Sequence, residues 1–188
     1  RARYSMQTCY RALPRCYGTY SVLNVELAVA EIEEICVSTN TLSFEEYIEC
    51  RFMHLIVTIF YNDAVFGLLL KYIKAKNLSV WDWIELLIRT KPKDKLNQLF
   101  NEFLSDTREE LWDSKEDLQR RVSDPKIVQD YVDGLVGNNL LFTYKTKAIT
   151  ECIEELADFA FQATDQLLSN NRISGTLDKL FVENIIRF

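Results

Sequence analysis

The side chains most suited to catalysis or metal binding in this 188-residue chain are one histidine and five cysteines. A single histidine, His54, excludes most catalytic triads and all metal sites built on two histidines. By helical period His54 lies off the main apolar stripe of its segment, near Cys50 and Tyr61. Two interpretations stay open: a half-buried helix residue with a hydrogen bond, or a contact to a ligand held by a neighbouring domain.

The cysteines are odd in number and widely spaced: Cys9, Cys16, Cys36, Cys50 and Cys152. No Cys-x-x-Cys pair occurs, so neither a zinc ribbon nor a thioredoxin-type site is indicated. The spacing predicts reduced thiols in a cytoplasmic protein. For Cys9 and Cys16, a cluster shared with another domain or subunit stays open.

Two groups of polar residues lie within helical patterns. The first is acidic and consists of Glu151, Glu154, Glu155 and Asp158. Paired carboxylates can hold two metal ions, but such sites also need Glu-x-x-His on two helices, so a solvated acidic face is predicted. The second, Tyr61-Asn62-Asp63, contains poor helix-interior residues. It predicts a kink or surface turn, or a polar contact across a domain interface.

No Walker-type phosphate loop and no dinucleotide fingerprint occurs in the sequence. We therefore predict no catalytic, cofactor-binding or metal-binding residue in this segment. The candidate contacts to another domain are His54, Tyr61, Asn62 and Asp63.

The charge balance limits the class of partner. The net charge is −6, and basic residues are scattered among acids, whereas nucleic-acid-binding domains concentrate Lys and Arg. Nucleic acid and acidic membrane surfaces are therefore disfavoured. The longest apolar stretch, residues 55–61, is far shorter than the ~20 residues that cross a bilayer. The first residues do not form a signal peptide, and a start at Arg1 without an initiator methionine fits either a fragment of a longer protein or a processed chain.

Helices are predicted to position these side chains, because 5 Gly and 3 Pro leave few tight turns. Ser43 and Glu46 have capping-box spacing, and the apolar residues after them predict one long helix that ends at Asn77. Further helices are predicted to begin at Ser79 and at Asp124-Pro125 and to cover residues 96–121, 146–168 and 177–186.

The expected fold is therefore mainly all-α, an irregular multi-helix bundle of about five to six helices. The bundle domain covers residues 43–188. Residues 1–42 form an N-terminal arm or linker, with a short strand predicted within residues 31–39. Residues 25–32 stay ambiguous between a strand and a helical turn.

Four segments in order carry a resemblance to a known family. They are Arg11-Ala-Leu-Pro14 with Cys16-Tyr-Gly18, Ile32-Glu-Glu-Ile-Cys-Val-Ser38, Thr39-Asn-Thr-Leu-Ser-Phe-Glu-Glu-Tyr47 and Phe60-Tyr-Asn-Asp63. Together they resemble the C-terminal region of cobalamin (B12)-binding radical S-adenosylmethionine (SAM) proteins. The resemblance covers residues 10 to 75, and its most specific part is the run from Thr39 to Tyr47.

The resemblance implies a parent enzyme with a cobalamin-binding domain and a partial (β/α) barrel. In that barrel a [4Fe-4S] cluster, held by a Cys-x-x-x-Cys-x-x-Cys loop, would cleave S-adenosylmethionine. This chain has no such loop, and Cys9 and Cys16 have the wrong spacing. The implied role is an accessory helical domain, so no catalytic, cluster or cobalamin residue is carried over to it.

Two function hypotheses follow. As an accessory domain, the chain would pack against other domains of the same polypeptide, help to form a substrate pocket or make contacts in a homo-oligomer, without nucleic acid or membrane. As an independent helical module, it would bind a protein partner through an exposed apolar patch. Seven aromatic residues would either line an interdomain surface or simply pack in the core: Tyr10, Tyr17, Tyr20, Phe52, Tyr61, Trp81 and Trp83.

Overall fold

The computed structural model describes residues 1–62, 65–134 and 136–173. The chain forms two compact units. The first contains Arg1–Arg51 and Leu104–Thr143, and the second contains Phe52–Phe103 and the described part of residues 144–188. The predicted arm over residues 1–42 and bundle over residues 43–188 stay a prediction.

A β-hairpin opens the chain, and helices follow it. The strands are β1 (Gln7–Val22) and β2 (Val25–Ser38), preceded by a 3-10 turn at Ala2–Tyr4. The α-helices are α1 (Phe44–Val57), α2 (Gly67–Ala75), α3 (Val80–Arg89), α4 (Asp94–Glu109), α5 (Lys115–Arg121), α6 (Pro125–Val132), α7 (Leu140–Glu151) and α8 (Ile153–Asn170). A π-helical turn, Thr58–Asn62, follows α1.

The predicted all-α bundle of five to six helices is wrong. The described residues hold eight α-helices and a two-stranded antiparallel sheet, so the fold is mixed, although mainly helical. The long strands replace the short strand expected within residues 31–39. The turn between them has only two residues, Leu23 (φ 52°) and Asn24 (φ 67°). Both positive φ values match a type I′ turn, whose twist suits a hairpin.

Three predicted helices break into shorter ones, which accounts for the higher helix count. The helix expected from Ser43 to Asn77 ends at Val57 and passes into the π-helical turn, and α2 begins at Gly67. The helix expected over residues 96–121 is α4 and α5, separated where Trp112 pairs with β1. The helix over residues 146–168 is α7 and α8, which meet at Cys152. The helix expected over residues 177–186 lies outside the described residues.

The predicted helix starts are confirmed by their caps. Ser43 and Glu46 form the capping box, with the Ser43 N–H donating to Glu46 Oε2 at 2.7 Å and the Glu46 N–H donating to Ser43 Oγ at 3.2 Å. The Ser79 hydroxyl accepts the Asp82 N–H at 3.1 Å. Asp124 accepts the Lys126 N–H at 2.9 Å, with proline at the first helical position. Each cap satisfies a backbone donor that the first turn leaves free.

Aromatic rings fill the core of the second unit. Phe60 is fully buried, and its ring centroid lies 5.1 Å from that of Phe66, 6.0 Å from that of Trp83 and 6.1 Å from that of Phe159. The Trp83 indole N–H donates to the carbonyl oxygen of Ala160 at 3.4 Å. This bond satisfies the one polar atom of a side chain that is otherwise surrounded by apolar groups.

One face of the hairpin packs against helices in the first unit. Tyr17, Ala30 and Ile32 contact the apolar cluster that contains Leu118 of α5 and Tyr131 of α6. The rings of Tyr17 and Tyr131 lie 5.2 Å apart. Since Ala30 and Ile32 are two positions apart on β2, they point to the same face. That face of the hairpin is the one covered by α5 and α6.

Candidate interaction surface on the hairpin

The predicted interdomain residues lie along one stretch of the second unit. His54 is exposed on α1, and Tyr61 (44% exposed) and Asn62 lie in the π-helical turn, where both are exposed. Asp63 lies outside the described residues. Their contact to another domain stays a prediction.

The aromatic residues singled out in the sequence divide by burial. Trp83 is fully buried in the core, and Phe52 is half-buried and packs edge-on against Phe100 at 5.3 Å between centroids. Tyr20 and Trp81 are exposed by 59% and 51%. Tyr20, one of the aromatic residues expected to line an interface, lies on an exposed part of the hairpin.

An ion network holds the base of the hairpin, by which we mean residues 7–12 of β1 and the β2 residues paired with them. Arg11 on β1 donates from Nε to Glu33 Oε1 on β2 at 2.6 Å and from Nη1 to Glu110 Oε1 at 2.7 Å. Arg51 Nη2 lies 3.7 Å from the same Glu110 oxygen. The side chains of Arg11, Arg51 and Glu110 are each at most one-fifth exposed. Arg11 therefore ties both strands to the segment that follows α4.

Burial sets the electrostatics of this network. Burial raises the pKa of Glu110, and the guanidinium groups of Arg11 and Arg51 offset this only in part. Burial opposes the charge of Arg11 as well, but Glu110 and Glu33 outweigh it and raise the pKa of Arg11. The Nε of Arg51 is buried and finds no hydrogen-bond partner among the described residues. The Arg11–Glu110 ion pair is therefore kept in contact although burial removes both charges from water.

Glu110→Gln is expected to change how the free energy of unfolding depends on pH. The folded chain holds the pKa of Glu110 above its ordinary 4.5, so the folded state takes up this proton first as the pH falls. Relative to Glu110→Gln, the wild type therefore gains stability as the pH falls from neutral towards 4.5 and loses it as the pH rises through the raised pKa. Urea unfolding at neutral and mildly acidic pH measures the difference.

The matched control is Glu45→Gln. A hydrogen bond from Arg108 lowers the pKa of Glu45, so the stability that Glu45 contributes is lost as the pH falls through its lowered pKa. The wild type should therefore lose stability in acid relative to this variant. A wild-type advantage over Glu110→Gln that shrinks in acid would contradict the assignment of Glu110.

Backbone pairing anchors the outer edge of β1 at the same end. The Tyr10 N–H donates to the Trp112 carbonyl oxygen at 2.7 Å, and the Trp112 N–H donates back to Tyr10 at 2.8 Å. The guanidinium of Arg121 lies 5.7 Å from the centroid of the Trp112 ring. Glu34 on β2 accepts hydrogen bonds from Arg1 at 2.7 Å and from Thr8 at 2.7 Å. The base of the hairpin is therefore fixed by side chains and by backbone.

The far end of the hairpin differs sharply from this base. Every residue from Thr19 to Leu27 is exposed. Cross-strand pairs join Tyr20 with Leu27 and Val22 with Val25, so these four side chains share one face. Val29, two positions after Leu27, continues that face. It is opposite to the face of Ala30 and Ile32 that α5 and α6 cover.

The uncovered face is apolar and carries no charge at the tip. Its exposed residues, with Leu23 at the turn, form what we call the apolar tip surface: Tyr20 (59% exposed), Val22 (51%), Leu23 (94%), Val25 (56%), Leu27 (47%) and Val29 (45%). The opposite face of the tip carries Thr19, Ser21 and Glu26. A contiguous apolar patch of this kind is typical of an interaction site, because isolated exposed apolar residues are common but clusters are not.

Leu23 departs from the turn chemistry that its position favours. Its φ of 52° is in the left-handed region, where Gly, Asn and Asp are preferred in type I′ turns. A leucine there strains the backbone and leaves its side chain in solvent. The position therefore combines a local cost with almost complete exposure of an apolar group.

The cysteines and the acidic residues were the other candidates for a chemical site in the sequence. In the described residues, no group of three or more His, Cys, Asp or Glu side chains is placed to bind a metal ion. Burial raises the pKa of the Cys9 and Cys152 thiols, which makes both poorer nucleophiles. Of the acidic group on α7 and α8, Glu151, Glu154 and Asp158 are exposed and Glu155 is half-buried, in line with the solvated face predicted.

A small open cavity lies in the second unit. It has a volume of about 250 Å³, and its lining includes Lys95, Lys147 and Cys152. The Lys95 ammonium donates to the carbonyl oxygen of Glu151 at 2.8 Å, and the Lys147 ammonium lies 5.0 Å from the centroid of the Tyr144 ring. Both ammonium groups therefore already have interaction partners within the protein.

No single helix in the described part of the chain is long and apolar enough to cross a membrane. Only the bent pair Phe44–Asn62 and Gly67–Ala75 reaches that length and composition when its two members are taken together. Comparison with family models, curated proteins and solved structures finds no match to this chain.

Proposed function

We propose that this chain is a docking domain, which presents the hairpin as an arm to another protein surface. The apolar tip surface carries the proposal. Its side chains alternate in register along two strands, as they do where one sheet face is buried, and yet they are 45–94% exposed. Each Å² of apolar area covered by a partner contributes about 25 cal/mol, which favours an occupied state.

The anchored base supports the same proposal. An isolated two-stranded hairpin is at best marginally stable, so a free arm would not hold a defined surface. Here Arg11, Glu110 and the Tyr10–Trp112 backbone pair fix one end, and α5 and α6 cover one face. The base of the arm therefore needs no ordering at the moment of contact, so only the outer part of the hairpin adds an entropic cost to binding.

A variant with Val25→Thr and Leu27→Thr tests whether the tip serves contact or folding. Threonine keeps the β-propensity of both positions but makes the surface polar. On a docking surface the two changes should shift the free energy of unfolding by less than about 1 kcal/mol, and they should weaken binding of the dye ANS to the dilute protein. Urea unfolding and ANS fluorescence are the measurements.

The matched control places the same residue type on the opposite face, as Ser21→Thr with Glu26→Thr. It should leave both the unfolding midpoint and ANS binding unchanged. If Val25→Thr with Leu27→Thr instead lowered stability by several kcal/mol, the tip would be part of the folded core, and the docking function would be wrong.

A narrower proposal follows the resemblance found in the sequence. It makes the chain an accessory domain of a cytoplasmic radical SAM enzyme that binds cobalamin, with the arm contacting other domains of the same polypeptide. Its support is the set of four segments between residues 10 and 75. The alternative is an independent protein–protein interaction module.

The complete reading frame separates these two. A Cys-x-x-x-Cys-x-x-Cys loop encoded upstream of Arg1, and iron and sulfide in the purified full-length protein, would favour the accessory domain. A complete reading frame without that loop would exclude it and leave the interaction module.

A further inference from the structure

We infer that the apolar tip surface pairs with the same surface of a second copy of this chain, so that two hairpins pack face to face about a two-fold axis. The inference rests on the proposed docking function and names its partner. An interface of this type is isologous, because the same patch serves both subunits.

The charge distribution favours a second copy at this place. The chain carries a net charge of −6, so two copies repel each other wherever their acidic residues meet. The apolar tip surface holds no carboxylate, and the carboxylate of the tip, Glu26, points to the opposite face. Glu31 continues the apolar face beyond Val29, away from the turn, where it would lie at the rim. An apolar centre with a charged rim is the usual anatomy of an interface.

The backbone geometry favours a face-to-face arrangement. Tyr20 lies opposite Leu27, and Val22 lies opposite Val25, so the apolar side chains form two adjacent rows on a sheet. Two such faces can interdigitate at the ~10 Å separation of packed sheets. The result is a four-stranded sandwich at the two tips, while α5 and α6 cover the opposite face of each hairpin nearer its base.

The exposed area is close to what a stable dimer needs. At the exposed fractions of its six residues, the apolar tip surface offers roughly 600 Å² per copy, against the ~800 Å² per partner of a standard interface. Rim residues would supply the remainder. Because nearly all of this area is apolar, two copies would bury it without leaving a charged group unpaired.

Sedimentation equilibrium over a wide concentration range, with the chain as it is, tests the inference. The wild type should be in a monomer–dimer equilibrium, and Val25→Thr with Leu27→Thr should weaken dimerisation at least about tenfold. The control Ser21→Thr with Glu26→Thr should dimerise as the wild type does or more tightly. In a chain whose only change is p-benzoylphenylalanine in place of Tyr20, the photoreactive side chain should cross-link to residues 20–29 of another copy.

A second variant distinguishes a loss of dimerisation from a loss of folding. Leu23→Asn removes the most exposed apolar group and puts a residue that tolerates positive φ into the turn. It should unfold at a urea concentration no lower than the wild type does, and it should dimerise more weakly.

The outcomes separate the inference from the function on which it rests. A wild type that stays monomeric but binds ANS through the tip would overturn the second copy as partner and leave the docking function in place. A monomer whose ANS binding is unaffected by Val25→Thr with Leu27→Thr would overturn both. A dimer that survives Val25→Thr with Leu27→Thr and Leu23→Asn unweakened would place the dimer interface elsewhere and overturn the inference.

Discussion

Phe60→Ala is expected to lower the free energy of unfolding by about 3–5 kcal/mol, the usual cost of truncating a buried phenylalanine. Phe60 is fully buried, and its ring touches those of Phe66, Trp83 and Phe159. The loss has two parts, the apolar area no longer removed from water and the cavity left among three rings that cannot close over it. Urea unfolding followed by tryptophan fluorescence measures it.

Two comparisons make this prediction specific. Leu68→Ala on α2 changes a residue that is 48% exposed, so its cost should be well under half that of Phe60→Ala. Phe60→Leu keeps much of the volume and should fall between the two. If Phe60→Ala cost no more than Leu68→Ala, Phe60 would not be at the centre of the aromatic core.

Arg11→Met is expected to cost about 2–4 kcal/mol, because removing one partner of a buried ion pair leaves the other charge uncompensated. Arg11 is bound to Glu33 at 2.6 Å and to Glu110 at 2.7 Å. The cost should be lower than for an ion pair fully removed from water, because these side chains remain 18–33% exposed. The change should also loosen the base of the hairpin, and hydrogen exchange of the β1 amides would report that.

The control for Arg11→Met is Arg108→Met, which breaks an ion pair with Glu45 that is open to solvent. It should have little effect, because exposed pairs contribute little. The double variant Arg11→Met with Glu110→Gln should recover part of the loss, since it removes the stranded carboxylate. Losses that simply add in the double variant would show that Arg11 and Glu110 are not coupled.

The helical part of this fold could be predicted from the sequence where a local rule applies. The Ser43, Ser79 and Asp124 caps depend on side chains that act within three residues of their own position, and all three were found. The breaks between α4 and α5 and between α7 and α8 were not predicted. At the first of them, Trp112 pairs with Tyr10, about a hundred positions earlier in the chain, and no local pattern reveals that.

The hairpin was missed for three physical reasons. Ala28 and Ala30 occupy alternate positions of β2, and alanine is apolar enough to hide the two-residue period that marks a strand. The turn residues Leu23 and Asn24 adopt positive φ values without the glycine that usually signals such a turn. In β1, the register shift between Ala12 and Tyr17, around Pro14, interrupts the alternation as well.

The candidate site was missed with the hairpin. The sequence singled out polar residues such as His54 and Asn62 because they are unusual within apolar helices. The surface that the structure exposes is made of ordinary valines and leucines, and these become informative only once two strands place them on one uncovered face. Tyr20, predicted from the sequence to lie either at an interface or in the core, is the residue of that group that belongs to the apolar tip surface.

The register shift between Ala12 and Tyr17 has a consequence for how stability is distributed along the arm. The polar bonds that fix the hairpin to its surroundings involve residues from Arg1 to Arg11, which come before this irregularity in β1. The apolar tip surface lies beyond it, towards the turn. A ladder interrupted at such a point opens in separate steps, so the outer strands can fray and re-form while the base stays closed. The tip thus has its own local folding equilibrium. A bound partner can shift this equilibrium towards the closed hairpin without disturbing the rest of the chain.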